Sequence, residues 1–183
     1  MAATPLQVVA WFSPMITGGF ILSTLGGFVL HIIPGTILLI VSGIGWLGAV
    51  LLFAVAPRGA NYWAFVFPSM ICSTVGIDIT YNITNIFITT SMVSERQGLA
   101  GALVNSILHL GIAILLGFAD ITQAQTAELG LKESYQAVFW YAVGICGLAL
   151  IIMVAFVKID RATSQLTADE KRELELAAQN EAK

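Results

Sequence analysis

Charge is what this 183-residue sequence most lacks. Only 10% of the residues are Asp, Glu, Lys or Arg, and positions 1–57 contain none of the four. Soluble domains carry about 25% charged residues, so this composition argues against a water-soluble core. The 57% hydrophobic content indicates an integral membrane protein instead.

The sequence is also poor in groups that serve enzyme chemistry. Its two cysteines, Cys72 and Cys146, lie in apolar runs, where they predict packing residues and neither a disulfide framework nor a metal site. No His-x-x-x-His or Glu-x-x-His pair occurs, and no lysine lies inside a predicted span. We therefore expect no enzyme activity, no cofactor and no metal, and nothing in the sequence indicates nucleic-acid binding.

Five segments are long and apolar enough to be membrane-spanning helices, which need about 20 residues each. They cover about 6–30, 34–55, 62–93, 99–118 and 135–157, within a transmembrane region of residues 1–158. The sequence thus predicts an all-α integral membrane protein with five spans. "SERQG", residues 94–98, is expected to form a polar loop before the fourth span. Residues 159–183 are expected to form a charged cytosolic tail, with a short helix from Thr167 to about Ala178.

Basic residues near the ends of the spans predict the orientation of the chain. If the tail is cytoplasmic, Arg96, Lys158 and Arg161 lie inside, whereas Arg58 and Lys132 lie outside. More basic residues then lie on the cytoplasmic side than outside, as is usual for membrane proteins. Five spans then place the N-terminus outside.

Small residues recur on one face of several predicted spans, and they let neighbouring backbones approach closely. They include Gly19, Ser23 and Gly27 in the first span and Gly43, Gly45 and Gly48 in the second. Pro14 and Pro68 are predicted to interrupt helical hydrogen bonds within their spans. Two interpretations stay open: tight packing of a helix bundle, or helices that bend and slide during a transport cycle.

Asp78 is the only charged residue between Arg58 and Glu95, and it lies on a polar face of the third span. At helical spacing this face carries Thr74, Asp78, Tyr81, Asn82, Asn85 and Thr89. An Asp at the centre of a membrane helix costs about 2.5–3.5 kcal/mol on the insertion scale. The polar face is therefore predicted to contact other helices or a water-filled cavity.

The fourth span has a matching face that includes Asn105 and His109. Asp78 and His109 each lie about halfway along their antiparallel spans, so both are predicted to lie near the bilayer midplane. Three interpretations stay open. Asp78 exchanges a proton with His109 as partner or relay, the polar residues line a cavity without titrating, or their role is purely structural. The candidates for lining a substrate cavity are Thr74, Tyr81, Asn82, Asn85 and Asn105.

The run from Gly76 to Ile121 resembles the late part of fungal major facilitator superfamily transporters. The matching stretches are "GIDITY" (residues 76–81), "ERQGLA" (95–100) and "ALVNS" (102–106). They are similar to the drug:proton antiporters that include aminotriazole-resistance-like members. In many drug exporters an Arg stands at the position that Leu108 occupies here, next to His109. A role of that Arg therefore does not carry over to this chain.

The resemblance implies both a place in a fold and a function. The five spans would be the last five of a larger transporter built from inverted repeats, so the chain is expected to be a C-terminal fragment that works with a missing N-terminal half. That transporter would export small drug-like or toxic compounds in exchange for protons, across the plasma membrane or the vacuolar membrane. The composition alone also allows an alternative, a non-transporting membrane subunit that contributes its helices to a complex.

Overall fold

The computed structural model describes residues 4–57, 59–159, 169 and 174. These residues form six α-helices and no strand. The helices are α1 (Pro5–Trp11), α2 (Ser13–Ile32), α3 (Gly35–Ala54), α4 (Phe67–Ser91), α5 (Ser94–Gln125) and α6 (Leu131–Phe156). A π-helical turn, Tyr62–Val66, leads directly into α4, and a 3-10 turn, Ala127–Leu129, precedes α6.

Five of the described helices have the length of a membrane span, which confirms the predicted all-α membrane fold. Helices α2 and α3 have 20 residues each, and α4, α5 and α6 have 25, 32 and 26. A helix of about 20 residues crosses the hydrocarbon core of a bilayer. The ranges Gly35–Ala54, Tyr62–Ile88, Glu95–Gln125 and Leu131–Phe156 are also apolar enough to do so. In the first predicted span the apolar helical stretch that is described, Val9–Thr24, is shorter.

The two prolines expected inside spans lie in the first turns of helices. Pro14 is the second residue of α2, which begins after a break at Phe12, and Pro68 is the second residue of α4. Backbone N–H groups in a first turn have no partner within the helix, so a proline is tolerated there. The regular helical hydrogen bonding is thus interrupted beside both prolines, as predicted: at Phe12 in the first span, and at the change from π-helix to α-helix within the span Tyr62–Ile88.

Helix α5 is longer than the predicted fourth span. The residues expected to form a polar loop, 94–98, are its first turn, and the connection from α4 is confined to Met92 and Val93. Glu95 lies in that first turn, where an acidic side chain complements the helix dipole. At the other end α5 continues to Gln125, past the predicted boundary at residue 118. Polar residues with adequate helix propensity thus extend the helix beyond its apolar part.

Helix α3 is the centre of the packing because its small residues allow close approach on two sides. A Cβ built on Gly45 would lie 2.8 Å from the Cys72 carbonyl oxygen of α4. A Cβ built on Gly43 would lie 2.7 Å from Cδ1 of Leu150 in α6. The fully buried Ser69 of α4 also donates a hydrogen bond of 2.9 Å to the carbonyl of Ala49. These contacts hold α3 between α4 and α6.

The far end of α6 is tied back to the start of α3. The Thr36 hydroxyl donates to the Ile159 carbonyl at 3.1 Å and accepts from the Ile159 amide at 2.6 Å. The predicted tail helix, Thr167 to Ala178, lies outside the described residues apart from Asp169 and Leu174, and Arg58 and Arg161 also lie outside them. The predicted domain boundary at residue 158 falls directly beside the Thr36–Ile159 contact.

Candidate functional site

The polar residues of α4 meet different neighbours, because the helix is packed against both α2 and α3. All six predicted positions lie within Phe67–Ser91, although the side chain of Thr89 is outside the described set. Thr74 and Asp78 are directed to α2, whereas Tyr81 and Asn85 line a cavity beside α3 and α5. The stripe predicted as a single face is therefore divided between two places.

Asp78 lies near the middle of α4, where it and Thr74 pack against two glycines of α2. A Cβ built on Gly19 would lie 3.4 Å from Oδ2 of Asp78, and one built on Gly18 would lie 3.4 Å from Cγ2 of Thr74. The missing side chains of these glycines leave the space that the carboxylate and the threonine methyl group occupy. Asp78 is thus half-buried at a helix–helix contact, as a carboxylate in a membrane helix requires.

One oxygen of the Asp78 carboxylate is buried without a hydrogen-bond partner. Among the described residues, Asp78 Oδ2 is the buried side-chain polar atom that has no hydrogen-bond partner. The hydroxyl of the neighbouring Thr74, by contrast, donates to the Met70 carbonyl at 2.8 Å. A buried polar atom that has no partner costs free energy, so such a group in a native structure calls for an explanation. A site that binds and releases a proton is one such explanation.

Three of the predicted cavity residues meet at a space between α3, α4 and α5. Tyr81 and Asn85 of α4 and Asn105 of α5 line a partly open cavity of about 200 Å³, together with Trp46 of α3. Asn105 donates from Nδ2 to the Gly101 carbonyl at 3.2 Å, which fixes the position of its amide. The cavity wall is mainly apolar with a few polar groups, as in small-molecule sites generally.

The structure does not bring His109 to Asp78. His109 lies near the middle of α5 with an exposed side chain, and its Nδ1 is 2.7 Å from the Asn105 carbonyl oxygen one turn earlier. Neither His109 nor Asn82 lines the cavity, although Asn82 is half-buried on α4. A direct contact between the two ionisable side chains, which one of the three interpretations allowed, is therefore absent from the described part of the chain. Asn105, one turn away on α5, does reach the cavity.

Sequence reasoning missed the contribution of α3 and of Thr80 and Thr84 of α4. Trp46 forms one wall of the cavity, and a Cβ built on Gly76 would lie only 2.9 Å from its indole Cδ1. Thr80 also lines the cavity, and its hydroxyl is 3.0 Å from the fully buried Ser42 hydroxyl of α3. The four-residue spacing of Thr80 and Thr84 was a signal for a second polar face on α4. Among the described residues no cluster of His, Cys, Asp and Glu could hold a metal ion.

Comparison with known proteins finds several fungal membrane transporters. The chain is 31% identical over 155 residues to a low affinity ammonium transporter of Saccharomyces cerevisiae and 28% identical over 155 residues to efflux pump terJ of Aspergillus terreus. Each match covers 84% of this chain and 30% of the relative.

A third relative is the major facilitator superfamily multidrug transporter mdr3 of Aspergillus fumigatus. It is 30% identical over 112 residues, which cover 60% of this chain and 21% of that protein. No family model and no solved structure matches the chain. The chain thus spans a third or less of the length of these relatives, all of which are named as transporters or pumps.

Proposed function

This chain belongs to the fungal major facilitator superfamily of membrane transporters, and from that premise we propose that it is part of a proton-coupled exporter of small drug-like or toxic compounds. It is an integral, multi-pass membrane protein. We place the exporter in the plasma membrane, with the vacuolar membrane as the alternative. Its further spans would supply the other side of the transport path.

Two kinds of observation support export. The first is similarity to proteins named as efflux pumps, which cover most of this chain. The second is the polar surface of α4, which a helix in contact with lipid alone would not carry. A non-transporting membrane subunit would have no use for a cavity lined by Tyr81, Asn85 and Asn105. Transport is therefore the function that the chain supports best.

The position of Asp78 is the observation that carries the proton coupling. It is the one acidic residue inside the apolar part of α4, and its Oδ2 is buried against Gly19. Carboxylates within membrane spans commonly belong to proton relays. Because Asp78 lies one turn from the cavity residue Tyr81, a proton bound there is close enough to influence a compound in the cavity. We propose that His109 acts as a relay to Asp78 by way of water, since the two side chains do not contact each other directly.

The test is efflux of a compound panel from cells that carry the full-length gene, with and without a pH gradient. We expect Asp78→Asn to abolish the part of efflux that depends on the gradient, because Asn cannot exchange a proton. Asp120→Asn is the matched control, since Asp120 is exposed near the end of α5. It should export like the natural protein.

Normal gradient-driven efflux by the Asp78→Asn protein would rule out its coupling role. Loss of efflux in both variants would show that the result reflects general damage to the protein. His109→Gln separates the two ionisable groups. If His109 relays the proton to Asp78, its substitution slows gradient-driven efflux without abolishing it, and unchanged efflux would rule out the relay.

A further inference from the structure

The cavity between α3, α4 and α5 has no charged residue in its lining. Its eleven lining residues are aromatic, aliphatic, hydroxyl or amide residues and glycine. Asp78 is directed away from it to Gly19 of α2, and His109 is not among its walls. A charged compound that entered would lose hydration and gain no opposite charge. A cation would recover only part of that loss from the aromatic rings.

The volume and the walls narrow the class of compound further. About 200 Å³ is below the range of about 300–1,000 Å³ that is usual for sites of drug-sized ligands, so the cavity suits a small ring system. Trp46 of α3 and Tyr81 of α4 provide aromatic surfaces. Most hydroxyls in the wall are already engaged, since Thr84 donates to the Thr80 carbonyl and Thr80 pairs with Ser42. The Asn105 amide, which belongs to α5, is a polar group that can orient a ligand.

Gly76 controls where the Trp46 ring lies. The indole packs on the backbone of α4 at this glycine, and a Cβ there would lie 2.9 Å from Cδ1 and 3.0 Å from Cγ and Nε1. Contacts that short do not occur, so any side chain at residue 76 must move the indole or the helix. Because Trp46 is itself a wall of the cavity, moving the indole changes the space that a ligand occupies.

We propose that this cavity binds a small, uncharged aromatic compound that stacks on Trp46 and hydrogen-bonds to Asn105, and that Gly76 is a positioning residue for the Trp46 ring. This inference rests on the proposed function, because it names the class of compound that the exporter accepts. It is nevertheless tested by binding, which does not require transport or a proton gradient.

Benzamide, benzamidine and benzoate serve as probes, because they share one shape but are neutral, cationic and anionic at pH 7. Their affinities are measured by equilibrium dialysis against the purified full-length protein in detergent. We expect benzamide to bind about tenfold or more tightly than either ion. Trp46→Ala should weaken benzamide binding by about three- to tenfold, whereas Trp46→Phe should retain most of it. Trp140→Ala is the control, since Trp140 is exposed on α6 away from the cavity.

The role of Gly76 is tested by a double-mutant cycle with Trp46. Gly76→Ala should change benzamide affinity in the natural protein but not in the Trp46→Ala background, because no indole is left to displace. Gly144→Ala is the control, since nothing lies within 4 Å of a Cβ at Gly144. A merely structural effect of Gly76→Ala would be equal in both backgrounds and would refute the positioning role. If Trp46→Ala fails to fold, the same cycle is measured with Trp46→Phe in its place.

Three results would overturn the assignment of the cavity. The first is binding of either ion as tightly as benzamide, and the second is unchanged benzamide binding by the Trp46→Ala protein. The third is no binding of any of the three probes, as expected if another span fills the space. These outcomes are separate from a failure of the proposed export. If the protein binds benzamide through Trp46 but shows no gradient-driven efflux, the assignment of the binding site holds and the proposed export function is refuted.

Discussion

The contact between α3 and α4 at Gly45 makes a quantitative prediction about stability. A Cβ in Gly45→Ala would lie 2.8 Å from the Cys72 carbonyl oxygen and 3.2 Å from the Gly76 amide nitrogen. Both are backbone atoms of α4, so neither can rotate away as a side chain can. Ordinary contact begins at 3.4 Å, and the two helices must therefore separate by about the 0.6 Å between 2.8 and 3.4 Å.

The size of the expected loss follows from that separation. A gap of about 0.5–1 Å forfeits a quarter to a half of the dispersion energy between facing atoms. Overpacking of this kind typically costs about 1–3 kcal/mol. Alanine also has a better helix propensity than glycine, by about 1 kcal/mol, which offsets part of the loss. Gly144→Ala gains the same propensity without a clash, so it is the matched control.

The measurement is the free energy of unfolding of each purified variant in mixed detergent micelles, with SDS as the denaturant. We expect Gly45→Ala to be less stable than Gly144→Ala by about 1–3 kcal/mol. If the two variants agree within about 0.3 kcal/mol, the close backbone contact between α3 and α4 does not exist as described, and the reasoning from it fails.

Two further predictions concern hydrogen bonds between helices. Ser69→Ala removes the buried hydrogen bond to the Ala49 carbonyl and should lower the free energy of unfolding by about 0.5–1.5 kcal/mol. Ser106→Ala is the control, because it removes an exposed hydrogen bond within α5 and should have no measurable effect. Equal effects of the two substitutions would contradict the prediction. Thr36→Val removes the two side-chain bonds to Ile159 and leaves the backbone bond from the Thr36 amide to the Ile159 carbonyl. It should speed hydrogen exchange of the Ile159 amide by about tenfold, and unchanged exchange would show that the Thr36 hydroxyl does not hold the end of α6.

The helical membrane fold could be predicted from the sequence because it depends on composition alone. A chain without charges over residues 1–57 must satisfy its backbone hydrogen bonds internally, and helices do so. The ends of the helices were harder to predict from the sequence, since they depend on local propensity. Thus the interruptions at Pro14 and Pro68 were predicted, but α5 begins at Ser94 where a loop was expected and continues to Gln125.

The arrangement of the candidate site could be predicted only in part. The polar positions of α4 were visible from their spacing, but their division between two neighbours was not. That division depends on Gly19 of α2, which makes room for Asp78, and on Gly76, which makes room for the Trp46 ring. A glycine in an apolar sequence does not reveal which side chain will fill the space beside it. The position of His109, away from Asp78, likewise depends on how α5 is rotated.

The central claim is that Asp78 exchanges a proton when the exported compound binds. It is tested most directly by adding that compound, identified from the efflux panel, to purified full-length protein in weakly buffered detergent solution that contains a pH-sensitive dye. We predict a change in free protons with the natural protein and with Asp120→Asn, and none with Asp78→Asn. The same proton change in the Asp78→Asn protein would contradict the account.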